Sequence, residues 1–462
     1  MKTTAHTAIL GSGITGLCAA HALQKSGKSI QIFDSHHQVG GALQSTLDHD
    51  YLAEHGPNSL LVKDQRVATL LNDVGLTIDH SEQTIIARDE AKKRYIVQDG
   101  SPHAMPDSPL GMLRTPLFST TGKLRFALEP FIGRYTGEGE ESFASFVRRR
   151  LGPDMLASAA GPFVSGIYAG DPENLSVRHA FPRLWNLEHH YGSFILGAIA
   201  LQFGWGPIGK NPNRISPAKM ISFQSGMHTL PQAIADHLPP NALSLNCQIT
   251  AIERKDHRWH LTWTDASGSS HIGIYQQLVV AIPHHKLPDL PLPADIIETL
   301  KPLTTLASPP VTSLVLGFKR EDIAHPLDGF GMLIKREEQS PLLGVLFSSS
   351  MFDDRAPDGH VTLTCMMGGT LNPRYAENSD QVVLDELNRL LGISGQPTFR
   401  QRSPWKHAIP QCDLKYQRII DALELCENNN SGIYFAGNYR GGISVGDCIV
   451  NGLELGKSLS LS

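Results

Sequence analysis

Gly11-Ser12-Gly13-Ile14-Thr15-Gly16 is the stretch whose reading decides the fold. Its first glycine permits a tight turn, its second lets the backbone approach a pyrophosphate, and its third allows a helix to pack closely. Ser12, Ile14 and Thr15 complete the turn, and the helix that opens there offers N–H groups and a positive dipole end to phosphates. Such a glycine pattern also arises by chance, so its surroundings decide its meaning. Thr7–Leu10 is a short apolar run that reads as a buried strand, residues 17–25 carry apolar side chains at helical spacing, and residues 29–33 read as a second strand. That strand ends at Asp34-Ser35, where a carboxylate can accept hydrogen bonds from a ribose diol. The alternative for Asp34 is a strand-end turn residue. The opening is therefore a βαβ unit of dinucleotide-binding type, and the fold class is α/β.

Working outward, the far end of the chain repeats the design. Ile433-Tyr434-Phe435-Ala436-Gly437-Asn438 ends a strand at a glycine, and Gly441-Gly442-Ile443-Ser444-Val445-Gly446 leads into a helix expected from 449 onward. A second helix start suits FAD, whose pyrophosphate and N1–C2=O edge accept hydrogen bonds and whose ring gains negative charge on reduction. An ordinary strand–loop–helix with glycine caps is the competing reading. Pairing with the N-terminal turn disfavours it.

Between these ends, helices are expected at 66–74 and at Phe143–Leu151, with helix-rich text over 84–178. Strands are expected at 243–252, 259–264 and 278–281 and throughout 311–366, which includes the alternating Val361-Thr362-Leu363-Thr364. At 462 residues, the chain should hold two or three domains. Apolar content of 41% allows a full core, and a net charge of −5 argues against a nucleic-acid partner. Arg148-Arg149-Arg150 reads as a solvated helix face. Cys18, Cys247, Cys365, Cys412, Cys426 and Cys448 form no C-x-x-C pair and read as free thiols in a reducing compartment. No signal peptide or membrane-spanning run is expected. The charge-free segment 189–209 contains a mostly apolar run from Phe194 to Trp205. It reads foremost as a buried helix and otherwise as a surface that dips into one leaflet of a bilayer or accepts a greasy ligand.

Several blocks resemble those of the oxygen-dependent protoporphyrinogen IX oxidases, within the amine-oxidase-like flavoprotein superfamily. They are Glu54-His55-Gly56-Pro57-Asn58-Ser59, Lys93-Arg94-Tyr95-Ile96-Val97, residues 161–172, Gly329-Phe330-Gly331-Met332-Leu333, residues 346–357, and Phe435-Ala436-Gly437-Asn438 with its glycine-rich sequel. They occur in family order over nearly the whole chain; the 161–172 and 346–357 blocks are specific to the family, and the glycine turn is not.

The resemblance implies a Rossmann-like FAD domain over 1–80, 222–286 and 426–462. It also implies an antiparallel-sheet substrate domain over 81–90, 180–221 and 287–425, and a helical membrane-associating domain over 91–179. Carried over by position, Arg94 pairs with a propionate, Phe352 stacks on a pyrrole ring, Leu333 packs on its other side, and the Gly166 carbonyl accepts a pyrrole N–H. Toward FAD, the carried-over positions are Gly41, Ala42, Gly56, Pro57, Asn58, Trp405, Gly437, Asn438, Val445 and Gly446, with Ile249 touching adenine through its backbone. The sequence departs from the family at Gln38 and Ala42, where basic residues are common, at Cys412, where tyrosine is usual, and at Asp34, which is more often Glu. Charge compensation for the phosphates then falls to backbone dipoles or to groups elsewhere.

The implied reaction is six-electron oxidation of protoporphyrinogen IX to protoporphyrin IX in three hydride-transfer cycles, with O₂ as acceptor and H₂O₂ as product. A donor so electron-rich needs positioning more than acid–base help, so no catalytic base is assigned. A membrane surface, hand-over to a ferrochelatase and a homodimer are the implied partners, with a cytoplasmic location on the inner face of the membrane. Coproporphyrinogen III oxidation is the nearest rival; an amine oxidase, a desaturase or a prenyl-binding escort without flavin are more distant. The doublets His36-His37, His189-His190 and His284-His285 show no metal-ligand spacing and read as surface histidines. No metal is expected.

Overall fold

The computed structural model describes residues 2–203, 205 and 212–461. Five strands form a parallel sheet in the order Leu243–Ser244, Ile30–Phe33, Thr7–Leu10, Gln277–Val280, Ile433–Phe435. All four neighbouring pairs register in parallel, and the strands Thr7–Leu10, Ile30–Phe33 and Gln277–Val280 are buried at every position. Burial on both faces explains why they read as continuous apolar runs. The chain folds back on itself here, because the first and last strands of this sheet lie some four hundred residues apart.

The first helix, Ile14–Lys25, and the C-terminal helix, Val445–Ser460, lie side by side. A Cβ built at Gly452 would meet the Thr15 carbonyl oxygen at 2.4 Å, and one at Gly456 would meet that of Ala19 at 2.4 Å. The contacts advance together along both chains, so the helices are parallel and their N-termini face the same way. The C-terminal helix begins at Val445, four residues ahead of the expected start, and thus overhangs the first helix by more than one turn. The expected strand over 243–252 is two strands. Asn246, at φ 50, breaks it; Leu243–Ser244 joins the parallel sheet and Gln248–Lys255 joins an antiparallel meander.

A seven-stranded mixed sheet carries the other half of the molecule, in the order Phe399–Trp405, Val311–Lys319, His360–Gly368, Leu342–Leu346, Gly331–Ile334, Arg94–Gln98, Ser101–Ala104. One face, with Leu314, Leu316, Phe318, Leu363, Cys365 and Met367, packs on the helix Asp380–Leu391. By the period-two alternation of strands, Ser313, Thr364, Leu333 and Arg94 belong to the opposite face.

The division of the chain differs from the expected one in two places. Residues 94–104 pair into the seven-stranded sheet, because Tyr95 and Val97 fill its core. The helices over 182–203 pack with those over 120–168, because a buried ion cluster joins them. Arg150 is fully buried and meets Glu129 at 2.9 Å and Glu188 at 2.6 Å. Arg149 bridges Glu141 and Glu188. The solvated-face reading holds for the exposed Arg148 and is corrected for Arg149 and Arg150. Phe143, Phe146, Val147 and Arg150 fall on one helical stripe, and that stripe faces inward.

The apolar helix Phe194–Phe203 is also not the buried helix expected. Only Gly197 is buried, while Leu196, Ile199 and Phe203 are 47%, 43% and 61% exposed. The Glu129 carboxylate caps its start, accepting from the Phe194 N–H at 3.1 Å and the Ser193 hydroxyl at 2.5 Å. Leu110, Leu113, Leu124, Leu128 and Phe131 are exposed on the same helical unit. Positions 204 and 206–209 of the charge-free segment lie outside the described residues. Among the described residues no helix is long and apolar enough to cross a membrane. All six cysteines are buried and unpaired.

Candidate functional site

The site builds up from the glycine turn. Gly11 sits at φ 103, and a Cβ there would meet the Ala281 carbonyl oxygen at 2.7 Å; a Cβ at Gly16 would meet the Gly11 carbonyl oxygen at 2.2 Å. These two glycines are needed by the fold. Gly13 is different, since a Cβ built on it meets nothing within 4 Å. Gly13 is also the N-cap of the first helix and provides no side-chain cap, so first-turn N–H groups there remain available to an anion. Across from it, Gly13 and Gly40 form a bridge, and Gly41 lies against the Gly13 Cα.

From this turn a continuous wall leads to the seven-stranded sheet. A Cβ at Gly56 would meet the Ala42 carbonyl oxygen at 2.4 Å, so the 40–42 and 55–58 segments touch. The Trp405 Nε1–H donates to the His55 carbonyl at 2.8 Å, and the Thr364 hydroxyl lies 3.4 Å from Asn58 Oδ1. On the other side, Gly446 lies near the Leu61 carbonyl, and the Gly437 turn at φ 152 folds against the Tyr439 ring. Contacts thus link Gly13, Gly41, Ala42, the 55–58 segment and Trp405 along the C-terminal end of the parallel strands, with the start of the C-terminal helix at Val445-Gly446 and the Gly437-Asn438 turn alongside, and this line is the candidate cofactor crevice. Dinucleotides bind to open α/β sheets at that end.

At its other end the crevice holds Asp34. Its carboxylate accepts from Ser12 N–H at 2.7 Å, Ser12 Oγ–H at 2.6 Å and His36 N–H at 3.0 Å, with the His36 ring at 2.9 Å. Burial works to raise this carboxyl, but the hydrogen bonds outweigh it and hold the group below its ordinary range. Asp34 is therefore pre-oriented as an anion, and ribose hydroxyls must compete for it or displace the exposed His36 ring. The Cys247 N–H donates to the Asp34 carbonyl, which brings Ile249 within two residues of this end. Ser35 follows on the exposed side of the turn.

The substrate-side residues divide into two groups. Arg94 and Gly331 are in register on adjacent strands, as are Ile96 and Leu333, so Arg94 and Leu333 share a face. A Cβ at Gly166 would meet Leu333 at 2.2 Å; the helix carrying Gly166 can lie on Leu333 only because this residue lacks a side chain. The Arg94 guanidinium lies 5.2 Å from the Phe330 ring centre with its head exposed. Phe352 lies beside them, in one cluster with Phe330 and Leu346. It is 2% exposed, packs with Ala91 and Met351, and carries the Arg355 guanidinium 5.3 Å from its ring centre. The stacking surface expected of Phe352 is covered by protein.

Sequence reasoning missed several residues of this region. Glu54 is buried, accepts from Ser45 Oγ–H and Met227 N–H, and burial pushes its carboxyl up to about 7. Thr364 was legible only as one step in an alternating run. His284 is buried, unlike the surface histidine expected; its ring Nε2 lies 3.0 Å from the Leu306 carbonyl.

Comparison with known proteins agrees with the crevice. A family model described as flavin containing amine oxidoreductase matches residues 14–454. The chain belongs to this family. As a flavin containing amine oxidoreductase it is 32% identical to protoporphyrinogen oxidase 2 (chloroplastic/mitochondrial) of Arabidopsis thaliana, over 97% of this chain and 92% of that protein. It is 25% identical to coproporphyrinogen III oxidase of Bacillus subtilis, over 97% and 96% of the two chains. A crystal structure from Exiguobacterium sp. 255-15, provisionally assigned as a protoporphyrinogen oxidase, superposes with a TM-score of 0.81 at 21% identity, covering 100% of both chains. The residues present fit the flavin that the family carries: an uncapped helix start, open space above Gly13, and two parallel dipoles aimed at one crevice.

Proposed function

We propose that the protein oxidises protoporphyrinogen IX to protoporphyrin IX, a late step of haem synthesis, with FAD held in the crevice and O₂ as final acceptor. The observation that carries this reading is the near-full-length similarity to a protoporphyrinogen oxidase, joined to a crevice that ends in an apolar floor with one arginine. Bound FAD would supply a two-electron acceptor, so six electrons require three turnovers. The protein's own residues hold and orient. The Gly13 helix start takes the phosphates, and Asp34, oriented by both Ser12 donors, takes the ribose. Trp405 and Thr364 brace the 55–58 segment beside the ring system. Leu333 and the Gly166 backbone offer a flat apolar surface, and Arg94 at its exposed edge suits a propionate, because a guanidinium grips a carboxylate with two parallel N–H bonds.

Coproporphyrinogen III is the second reading, favoured by the similarity to the Bacillus subtilis oxidase. Its four carboxylates call for more cations than Arg94 provides at this edge. The test is turnover of both porphyrinogens by the purified holoprotein, followed by porphyrin fluorescence and peroxide release. Preference for the dicarboxylate supports the first reading, and turnover of neither refutes both. Arg94→Ala should raise KM for protoporphyrinogen at least tenfold, since a charge-assisted hydrogen bond contributes about 1.5–3 kcal/mol. An unchanged KM removes Arg94 from the site.

The helical unit, with its exposed Leu196, Ile199, Phe203, Leu113 and Phe131, is suited to rest in the interface of a membrane from the cytoplasmic side, where an apolar substrate and product would partition. Hand-over to a ferrochelatase and homodimerisation rest on the family resemblance alone.

A further inference from the structure

The strand Val311–Lys319 runs between Phe399–Trp405 and His360–Gly368, and Ser313 stands opposite Ser403 on one side and Met366 on the other. Its flanking neighbours on the same face are Trp405 and Thr364, two positions removed along each partner strand. Both of those side chains reach the 55–58 segment, through His55 O and Asn58 Oδ1. Strand alternation therefore aims Ser313 at that segment from between them. Ser313 is 2% exposed, and its hydroxyl has no hydrogen-bond partner among the described residues. Burying a hydroxyl without a partner is costly, and folded proteins keep such groups where a ligand or ordered water completes them. Thr362, on the same face, is also buried and unpaired, but it lies opposite Gly317, whose space meets the Tyr51 ring, away from the crevice.

We propose that Ser313 donates a hydrogen bond to the bound flavin ring system, directly or through one ordered water, and thereby favours the reduced cofactor. This rests on the reading that the ring system extends along Gly56–Asn58. A donor fixed beside a ring that gains electron density on reduction stabilises the reduced form more than the oxidised one. The effect does not depend on the identity of the substrate.

The experiment is a reductive titration of the holoenzyme against a dye of known potential, without porphyrinogen. Ser313→Ala should make two-electron reduction about tenfold less favourable, a fall of about 30 mV. Ser313→Thr, which keeps the hydroxyl, should stay near the parent potential, and Thr362→Val should not move it. An unchanged potential in Ser313→Ala, or an equal fall in Thr362→Val, overturns the proposal. Where Ser313→Ala does not retain flavin, a crystal structure of the parent holoenzyme decides. Ser313 Oγ within hydrogen-bond distance of a flavin atom, or of a water bonded to one, supports it; a Ser313 hydroxyl bonded only to protein overturns it. Because the potential is read on the flavin, failure here leaves the substrate assignment standing.

Discussion

Replacing Gly13 and Gly16 by alanine should separate the needs of the fold from those of the cofactor. At Gly13 the backbone has φ −68 and ψ 170, which any residue adopts, and an added Cβ meets nothing within 4 Å. Gly13→Ala should leave the flavin-free protein as stable as its parent, or stabilise it by about 0.4–1 kcal/mol through the unfolded chain. The same methyl would stand where a pyrophosphate must approach the helix start. Losing one or two charge-assisted hydrogen bonds and the dipole contact costs about 3 kcal/mol, roughly a hundredfold in Kd for FAD. At Gly16 the added Cβ lies 2.2 Å from the Gly11 carbonyl oxygen, so the turn itself must open. Gly16→Ala should lower the melting temperature with or without flavin. The assays are thermal unfolding by circular dichroism on flavin-free protein and a flavin fluorescence titration. Should Gly13→Ala bind FAD with parental affinity, the phosphate placement on which the crevice is built is wrong.

Three further outcomes follow from the same geometry. Arg150→Met leaves Glu129 buried without its ion-pair partner and Glu188 with Arg149 alone, and should cost about 3–5 kcal/mol in urea unfolding; parental stability would show that the cluster contributes nothing net. The Glu54 carboxyl, raised from 4.5 to about 7, binds its proton more tightly in the fold than in the unfolded chain. Its contribution to stability is therefore complete below about pH 4.5 and lost as pH rises through 7, by up to about 3 kcal/mol; Glu54→Gln should flatten the pH–stability curve in that window, and an identical slope would contradict the assignment. Combining Leu196→Ser, Ile199→Ser and Phe203→Ser should remove about 3 kcal/mol of apolar transfer, roughly a hundredfold in vesicle partitioning, with little change in melting temperature; undiminished vesicle binding would place any membrane contact elsewhere.

The local sequence carried the two glycine-bounded helix starts, the apolar parallel strands and the alternation of Val361–Thr364, because turn geometry and side-chain period act over a few residues. It also carried the family, through blocks spread along the chain. Which surfaces those elements meet is a different matter. Arg150 reads like its neighbours Arg148 and Arg149, yet it is drawn inward because Glu129 and Glu188 arrive from other segments to neutralise it. The apolar run at Phe194–Phe203 has the composition of a core helix, and the fold nevertheless leaves it uncovered. Phe352 sits in a family block but is sealed by Ala91, Met351 and Arg355. Ser313 has no local signal, since its isolation depends on three strands and the 55–58 segment meeting across more than two hundred residues. The sequence by itself determined the elements and the cofactor class, because backbone conformation and hydrophobic period are short-range properties. Only the tertiary structure decided which charges pair, which apolar faces stay open and which hydroxyl stays buried without a partner, because burial and hydrogen-bond satisfaction belong to contacts between distant parts of the chain.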